Sequence, residues 1–266
     1  MIIFVLIILG LAFGSFVTAL TWRLHEKKNF VTGRSQCEHC EHQLSALDLI
    51  PVFSWLFLGG KCRYCRKPIG WQNPVIELSM ALLFVGSYLV WPLGFDAWQA
   101  VASFVLWLVY LVLLVALLVY DFRWMLLPNS LVFLLIGLSF IDAGLRLCLT
   151  PDFSVMGYLL HIGLGAGALG GFYWLLYTVS KGKWVGYGDV KLGLFMGIVA
   201  GWQLALLTLF LANLIGFLIV TPGLISGKLT PKSRVPFGPF LIVAFIAAIL
   251  FGQQLINAYL SFVLLR

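Results

Sequence analysis

The chain has 266 residues, of which 62% are hydrophobic and only 10% are charged, and its mean hydropathy is +1.03. Soluble globular domains carry about 25% charged residues, so this composition excludes a soluble globular protein and predicts one that lies in a lipid bilayer. The net charge of +7 does not require a nucleic-acid partner, because basic loops that contact anionic lipid head groups account for it.

Long apolar runs predict an all-α polytopic membrane protein. About 20 apolar residues cross roughly 30 Å of hydrocarbon as a helix, and a helix satisfies its own backbone hydrogen bonds where water is absent. The first run has no basic segment before it and no small-residue cleavage site after it, so we expect a retained helix rather than a signal peptide. We count about eight runs, near residues 2–22, 75–91, 98–120, 129–147, 155–178, 190–201, 203–220 and 237–262.

Basic residues predict the orientation of these spans, because Lys and Arg are enriched in cytoplasmic loops. With the N-terminus outside, 15 of the 17 basic residues lie inside, and only Arg146 and Arg266 lie outside. Many of the inner ones fall in a polar insert between the first two spans. We therefore expect three parts: a first transmembrane helix at 1–22, a cytoplasmic insert at 23–73 and a transmembrane helical domain at 74–266.

Four cysteines in the insert form two Cys-x-x-Cys pairs. Cys37 and Cys40 form the first pair, and Cys62 and Cys65 form the second. This spacing is typical of a zinc ribbon, in which four thiolates close a tetrahedral structural site. The alternatives are disulfides, which the reducing cytoplasm disfavours, and free structural thiols. The sequence therefore predicts a small zinc-ribbon-like domain that depends on the metal for folding.

Two aspartates are candidates for catalysis. Asp121 ends the third predicted span, and Asp189 begins the sixth, directly after Gly186-Tyr187-Gly188. Spans four and five form an outward and returning pair, so both aspartates return to the cytoplasmic face. Two neighbouring carboxylates share a proton, which lets one activate a water molecule while the other polarises a peptide carbonyl. Gly186 and Gly188 are candidates for substrate binding, because backbone without side chains can approach an extended peptide.

Other interpretations of these aspartates stay open from the residues alone. Asp121 could form an interfacial charge pair with Arg123, and Asp189 could be a first-turn acid that interacts with its helix dipole. The alternative functions are a cation-coupled membrane transporter and a noncatalytic assembly scaffold. Transporters often place such acids near the bilayer midplane, whereas both of these lie at one rim.

The motifs taken together resemble the bacterial type IV prepilin leader peptidases, which are Gly-x-Gly-Asp intramembrane aspartyl proteases. The resemblance spans nearly the whole chain. It departs from the family in having no proline after the first cysteine of each pair, and in having Asn129 where an aspartate is common. Besides the cysteine pairs, it rests on Gly14-Ser15-Phe16, Ile50-Pro51-Val52-Phe53-Ser54-Trp55-Leu56, Asn73-Pro74-Val75-Ile76-Glu77-Leu78, Asp121 with Pro128, Gly186-Tyr187-Gly188-Asp189 and Pro236-Phe237-Gly238-Pro239-Phe240.

This resemblance implies an enzyme of the bacterial inner membrane with Asp121 and Asp189 as its catalytic residues. Its implied substrates are prepilins or pseudopilins of type IV pilus or type II secretion systems, cleaved after a glycine. It also implies that the insert methylates the new N-terminus with S-adenosylmethionine. The sequence has no glycine-rich turn typical of nucleoside binding, so the residues that would bind this cofactor are unknown, and a peptidase without methyltransferase activity is an alternative. Glu77 is predicted to be an acid in the first turn of the second span, where it would interact with the helix dipole. By resemblance it is also a candidate for methyl transfer.

Overall fold

The computed structural model describes residues 1–29, 34–149, 154–228, 230 and 235–264. Within these residues the chain is almost entirely helical, and the described part has no β-structure beyond two isolated bridges. A 3₁₀ turn (Ala46–Leu49) precedes α2, and a π-helical segment (Gly167–Gly171) joins α6 to α7. The helices are α1 (Ile2–His25), α2 (Phe53–Phe57), α3 (Gln72–Leu89), α4 (Trp98–Trp124), α5 (Asn129–Leu149), α6 (Val155–Ala166), α7 (Phe172–Ser180), α8 (Tyr187–Ile225) and α9 (Gly238–Leu264).

The predicted class, an all-α polytopic membrane protein, is confirmed. Six helical stretches in the described part of the chain are long and apolar enough to cross a membrane. The sixth and seventh predicted spans lie together in α8, whose backbone is broken at Gly201 (φ +68°). The second predicted span corresponds to α3, which is not among the six because Gln72, Asn73 and Glu77 lower its mean hydropathy. Lys232, Arg234 and Arg266, which entered the charge count, lie outside the described residues.

The chain divides into two compact units, and in the first (Met1–Val90 with Leu108–Val119) α1 packs closely on α3. Gly10 and Gly14 lie one turn apart on the same face of α1. A Cβ atom at Gly14 would come within 2.5 Å of the Glu77 Cα, and one at Gly10 within 2.5 Å of the Ala81 Cα. Small residues four positions apart let membrane helices approach backbone to backbone. These two glycines therefore set the distance between α1 and α3.

In the second unit (Trp91–Trp107 with Tyr120–Arg266), α8 contacts α5, α6, the π-helical segment and α9. Gly165 of α6 and Gly197 of α8 lie backbone against backbone. The His161 imidazole occupies the space that a side chain at Gly201 would need. His161 therefore packs against the α8 backbone, and this contact explains why the break in α8 falls at a glycine.

We predict that Gly14→Ala destabilises the first unit, because the added methyl group would overlap the Glu77 backbone. Overpacking of this kind costs about 1–3 kcal/mol. The matched control is Gly86→Ala in α3, where an added Cβ meets no atom within 4 Å. Thermal unfolding of the purified protein in detergent measures both variants. Equal melting temperatures for the two would contradict the close packing of α1 on α3.

Candidate active site and metal site

Asp121 lies in the last turn of α4, and only 6% of its surface is exposed. The helix ends just beyond it, because Met125 adopts a left-handed conformation (φ +54°) and donates its N–H to the Asp121 carbonyl over 2.8 Å. The Asp121 carboxylate accepts a hydrogen bond from the backbone N–H of Gly238, the first residue of α9. A Cβ at position 238 would come within 2.5 Å of the Asp121 Oδ2, so any side chain there would displace the carboxylate.

Asp189 lies in the first turn of α8 and is also buried. Its Oδ2 accepts a hydrogen bond of 3.1 Å from the backbone N–H of Gly186, the residue that precedes the helix. An acid in this position satisfies one of the unpaired N–H groups at a helix start. Asp189 is therefore a first-turn acid, and it also lies close enough to Asp121 for the charge of that residue to act on it.

Two contacts hold the start of α8 against the connection between α4 and α5. A Cβ at Gly188 would come within 3.0 Å of the Leu127 side chain, so the glycine lets Leu127 pack there. The Lys191 ammonium donates a hydrogen bond to the side-chain oxygen of Asn129. Since Leu127 and Asn129 follow Asp121 closely along the chain, these contacts bring the two aspartates together. Asn129 supplies a hydrogen-bond acceptor without a charge.

Both glycines of the Gly-x-Gly-Asp motif thus have a structural role. Gly186 holds the Asp189 carboxylate, and the space at Gly188 is filled by Leu127. Contact of either glycine with a substrate stays a prediction. The loop that contains Pro236 and Phe237 reaches the aspartates through Gly238, a contact that the sequence could indicate only by resemblance.

The four predicted metal ligands come together in the insert. The Sγ atoms of the four cysteines lie within 4.8 Å of one another, and those of Cys37 and Cys65 are 3.9 Å apart. All are free thiols. In a tetrahedral zinc site with Zn–S bonds of about 2.3 Å, the sulfurs are about 3.8 Å apart. The cluster therefore fits a metal ion, and the predicted zinc-ribbon-like insert is confirmed as a fold.

The two Cys-x-x-Cys pairs adopt the same type of backbone turn. The N–H of Glu41 donates to the Cys37 carbonyl over 3.0 Å, and the N–H of Arg66 donates to the Cys62 carbonyl over 3.0 Å. Glu41 and Arg66 both have positive φ, at +56° and +59°. Each turn directs two thiols to the same side of the chain, which is how two short segments supply four ligands.

The thiols differ in how readily they ionise. Burial raises the pKa of Cys37, but hydrogen bonds from the backbone N–H groups of His39 and Cys40 and from neighbouring thiols outweigh it and lower the pKa to about 7. For Cys40, a backbone hydrogen bond from His42 lowers the pKa, but desolvation, hydrogen bonds with Cys37 and Cys65 and the charge of Cys37 raise it to about 11. A metal ion bound among the thiols would favour their thiolate forms, because metal ligands must be deprotonated.

Glu77 makes a contact that the sequence did not indicate. Its side chain is buried and accepts hydrogen bonds from the Val52 N–H, over 2.7 Å, and from the Ser15 hydroxyl. Val52 (φ +62°, ψ −52°) is the centre of a γ-turn closed by a 2.6 Å hydrogen bond from the Phe53 N–H to the Pro51 carbonyl. This conformation is strained for a β-branched residue.

The first turn of α3 contains no acid, so the first-turn interpretation of Glu77 is wrong. Through its two hydrogen bonds, Glu77 instead connects the strained turn of the insert to α1 and α3.

The insert also contains a cavity of about 280 Å³. Apolar side chains line most of it, and its polar residues are Ser54 and Arg63, the latter paired with Asp48 at 2.6 Å. S-adenosylmethionine carries a ribose, an ammonium and a carboxylate, which need several polar partners. The lining does not offer them, so no residue is assigned to this cofactor.

Comparison with known proteins identifies the family. The model of the bacterial peptidase A24 N-terminal domain matches residues 8–91, and that of the type IV leader peptidase family matches residues 108–221. The relatives named prepilin leader peptidase/N-methyltransferase include a Stutzerimonas stutzeri protein, 36% identical over 88% of this chain and 77% of its own length. Others come from Pseudomonas aeruginosa (33% identical; 96% and 92% covered) and Bacillus subtilis (32% identical; 98% and 98% covered). No solved structure matches the chain.

This chain belongs to the type IV leader peptidase family. The predicted family is therefore confirmed, and with it the prediction of an enzyme with peptidase activity. The family and the six apolar helices together make the chain a multi-pass inner-membrane protein. Both aspartates fall inside the second matched region, whereas the four cysteines and Glu77 fall inside the first.

We predict that the purified protein carries about one divalent metal ion per chain, bound by the four thiolates. Cys37→Ser removes one ligand and should lower the metal content strongly. The control is Cys148→Ser, because Cys148 is an exposed thiol of α5 outside the cluster. Elemental analysis by mass spectrometry measures both. Full metal content in Cys37→Ser would show that the ion lies elsewhere.

Proposed function

We propose that the chain is an intramembrane aspartic endopeptidase, which removes the short basic leader of type IV prepilins or pseudopilins after a glycine. The family and the shared name of the relatives support this substrate class. The observation that carries the aspartic mechanism is the buried pairing of Asp121 with Asp189, each held by a backbone N–H near the start of a helix.

In the proposed reaction, one carboxylate takes a proton from a water molecule while the water oxygen attacks the scissile carbonyl carbon. The other carboxyl group is protonated and donates a hydrogen bond to the carbonyl oxygen. The C–N bond then breaks as a proton passes to the leaving nitrogen, so that one peptide bond and one water molecule give a carboxylic acid and an amine. A pair of carboxyl groups that shares one proton supplies both the base and the acid.

We also propose the orientation predicted from the basic residues, with the N-terminus outside and both the insert and the aspartates at the cytoplasmic face. The leader would be cleaved there, where the helix of the substrate leaves the membrane. Residues 74–266 would then form the protease domain. Contact of the basic insert with anionic lipid heads is consistent with this placement.

Residues 23–73 are proposed as the methyltransferase part. S-adenosylmethionine would supply the methyl group for the amine exposed by cleavage and would leave as S-adenosylhomocysteine. The names of the relatives and the match of the N-terminal family model support this second activity. A zinc ion on the four cysteines would hold the fold of the insert, since a site closed by four thiolates has no open position for a substrate.

We predict that Asp121→Asn and Asp189→Asn each reduce leader removal by about 100- to 10,000-fold, because each removes an acid–base group. Asp96→Asn, at an exposed aspartate, should cleave at the wild-type rate. A gel assay with purified prepilin in detergent measures all three. Normal cleavage by either active-site variant would rule out the aspartic mechanism. A folded wild-type protein that never cleaves prepilin would favour a transporter or a scaffold.

We predict that Cys37→Ser separates the two activities, because the cysteines and the aspartates belong to different parts of the chain. The variant should still remove the leader but should leave the product without its methyl group. Mass spectrometry of the pilin N-terminus after incubation with S-adenosylmethionine measures this. Normal methylation by the variant would contradict the role of the insert, and an unmethylated wild-type product would identify a peptidase alone.

A further inference from the structure

Tyr173 has a buried hydroxyl that the fold does not explain. It lies in α7, and only 2% of its surface is exposed. Its hydroxyl oxygen has no hydrogen-bond partner among the residues that the structure describes. Burying an unpaired hydroxyl destabilises a folded protein, and most buried polar groups in proteins are paired. The hydroxyl therefore indicates a partner that the described chain does not supply.

Contacts on two sides fix the Tyr173 ring beside the aspartate pair. A Cβ at Gly193, one turn after Asp189 in α8, would come within 3.1 Å of the Tyr173 Cδ2, so the ring packs against the α8 backbone. The ring also packs against Phe237, with ring centroids 5.6 Å apart, and Phe237 directly precedes Gly238, whose N–H donates to the Asp121 carboxylate. The charge of Asp189 acts on the phenol. Tyr173 thus belongs to the group of residues around both carboxyl groups.

The π-helical segment just before α7 contributes to this orientation. A π-helical turn contains more residues than an α-helical turn, so the side chains after it face a different direction from those of an uninterrupted α-helix. Gly170, inside the segment, lets it approach α8: a Cβ there would come within 3.0 Å of the Leu194 Cα. Such segments occur frequently at functional sites.

We propose that Tyr173 is a further catalytic residue, whose hydroxyl donates a hydrogen bond to the carbonyl oxygen of the scissile peptide. This proposal rests on the proposed function of Asp121 and Asp189. A substrate peptide between the aspartates brings a carbonyl acceptor into the site, and that oxygen gains negative charge as water attacks. Tyr173 keeps its proton throughout, so the proton balance of the hydrolysis is unchanged.

The test compares Tyr173→Phe with Tyr177→Phe, which removes a hydroxyl one turn later in the same helix. Loss of one donor to a developing oxyanion lowers kcat by about 100-fold. KM changes much less than kcat, because the hydrogen bond strengthens as the carbonyl oxygen gains negative charge in the transition state. The melting temperature of Tyr173→Phe should equal or exceed that of the wild type, since removing an unpaired buried hydroxyl relieves a cost. Tyr177→Phe should match the wild type in kcat and KM.

Three outcomes would overturn the proposal: an unchanged kcat, a raised KM with normal kcat, or a lower melting temperature that accounts for the lost activity. Asp189→Asn in the same assay separates this inference from the proposed function. If Asp189→Asn cleaves normally, the aspartic mechanism itself fails. If Asp189→Asn is inactive while Tyr173→Phe keeps its kcat, only the role of Tyr173 fails.

Discussion

A carboxylate buried in a membrane protein needs hydrogen-bond donors in place of the water that it has lost. Asp121 and Asp189 each obtain one from a backbone N–H near the start of a helix, at Gly238 of α9 and at Gly186 before α8. Helix N-termini carry unpaired N–H groups and a partial positive charge. The position of each carboxyl group therefore depends on the position of a whole helix. A side-chain donor would be less rigid than these backbone N–H groups.

Close packing at glycines makes this arrangement possible. Leu127 fits against the first turn of α8 because position 188 has no side chain, and the Tyr173 ring fits against the same helix at Gly193. At Gly238 the missing side chain leaves room for the Asp121 carboxyl group itself. In lipid, helices gain little from hydrophobic burial against one another, so the contacts that small residues permit decide which faces meet.

The insert follows a different physical rule, because so short a segment buries little apolar surface. Its four thiols converge through two backbone turns of the same type, and a metal ion bound among them would hold the two turns together. The strained turn at Val52 is held by Glu77. A residue in a rare backbone conformation persists only when its surroundings fix it, so the buried Glu77 carboxylate links the conformation of the insert to the packing of α1 and α3.

The sequence by itself determined the membrane class, the convergence of the four cysteines and the two candidate aspartates, because apolar length, Cys-x-x-Cys spacing and rare intramembrane charges are local signals. It indicated Glu77 as a candidate, and the segment at Gly238 only as part of the family resemblance, without the partner of either. Only the tertiary structure paired Glu77 with Val52, placed Gly238 on Asp121 and brought Tyr173 near Asp189. These contacts join residues far apart in the chain, and the break at Gly201 and the π-helical segment change which faces meet. No periodic pattern in the sequence records such changes, because they arise from the packing of one backbone against another.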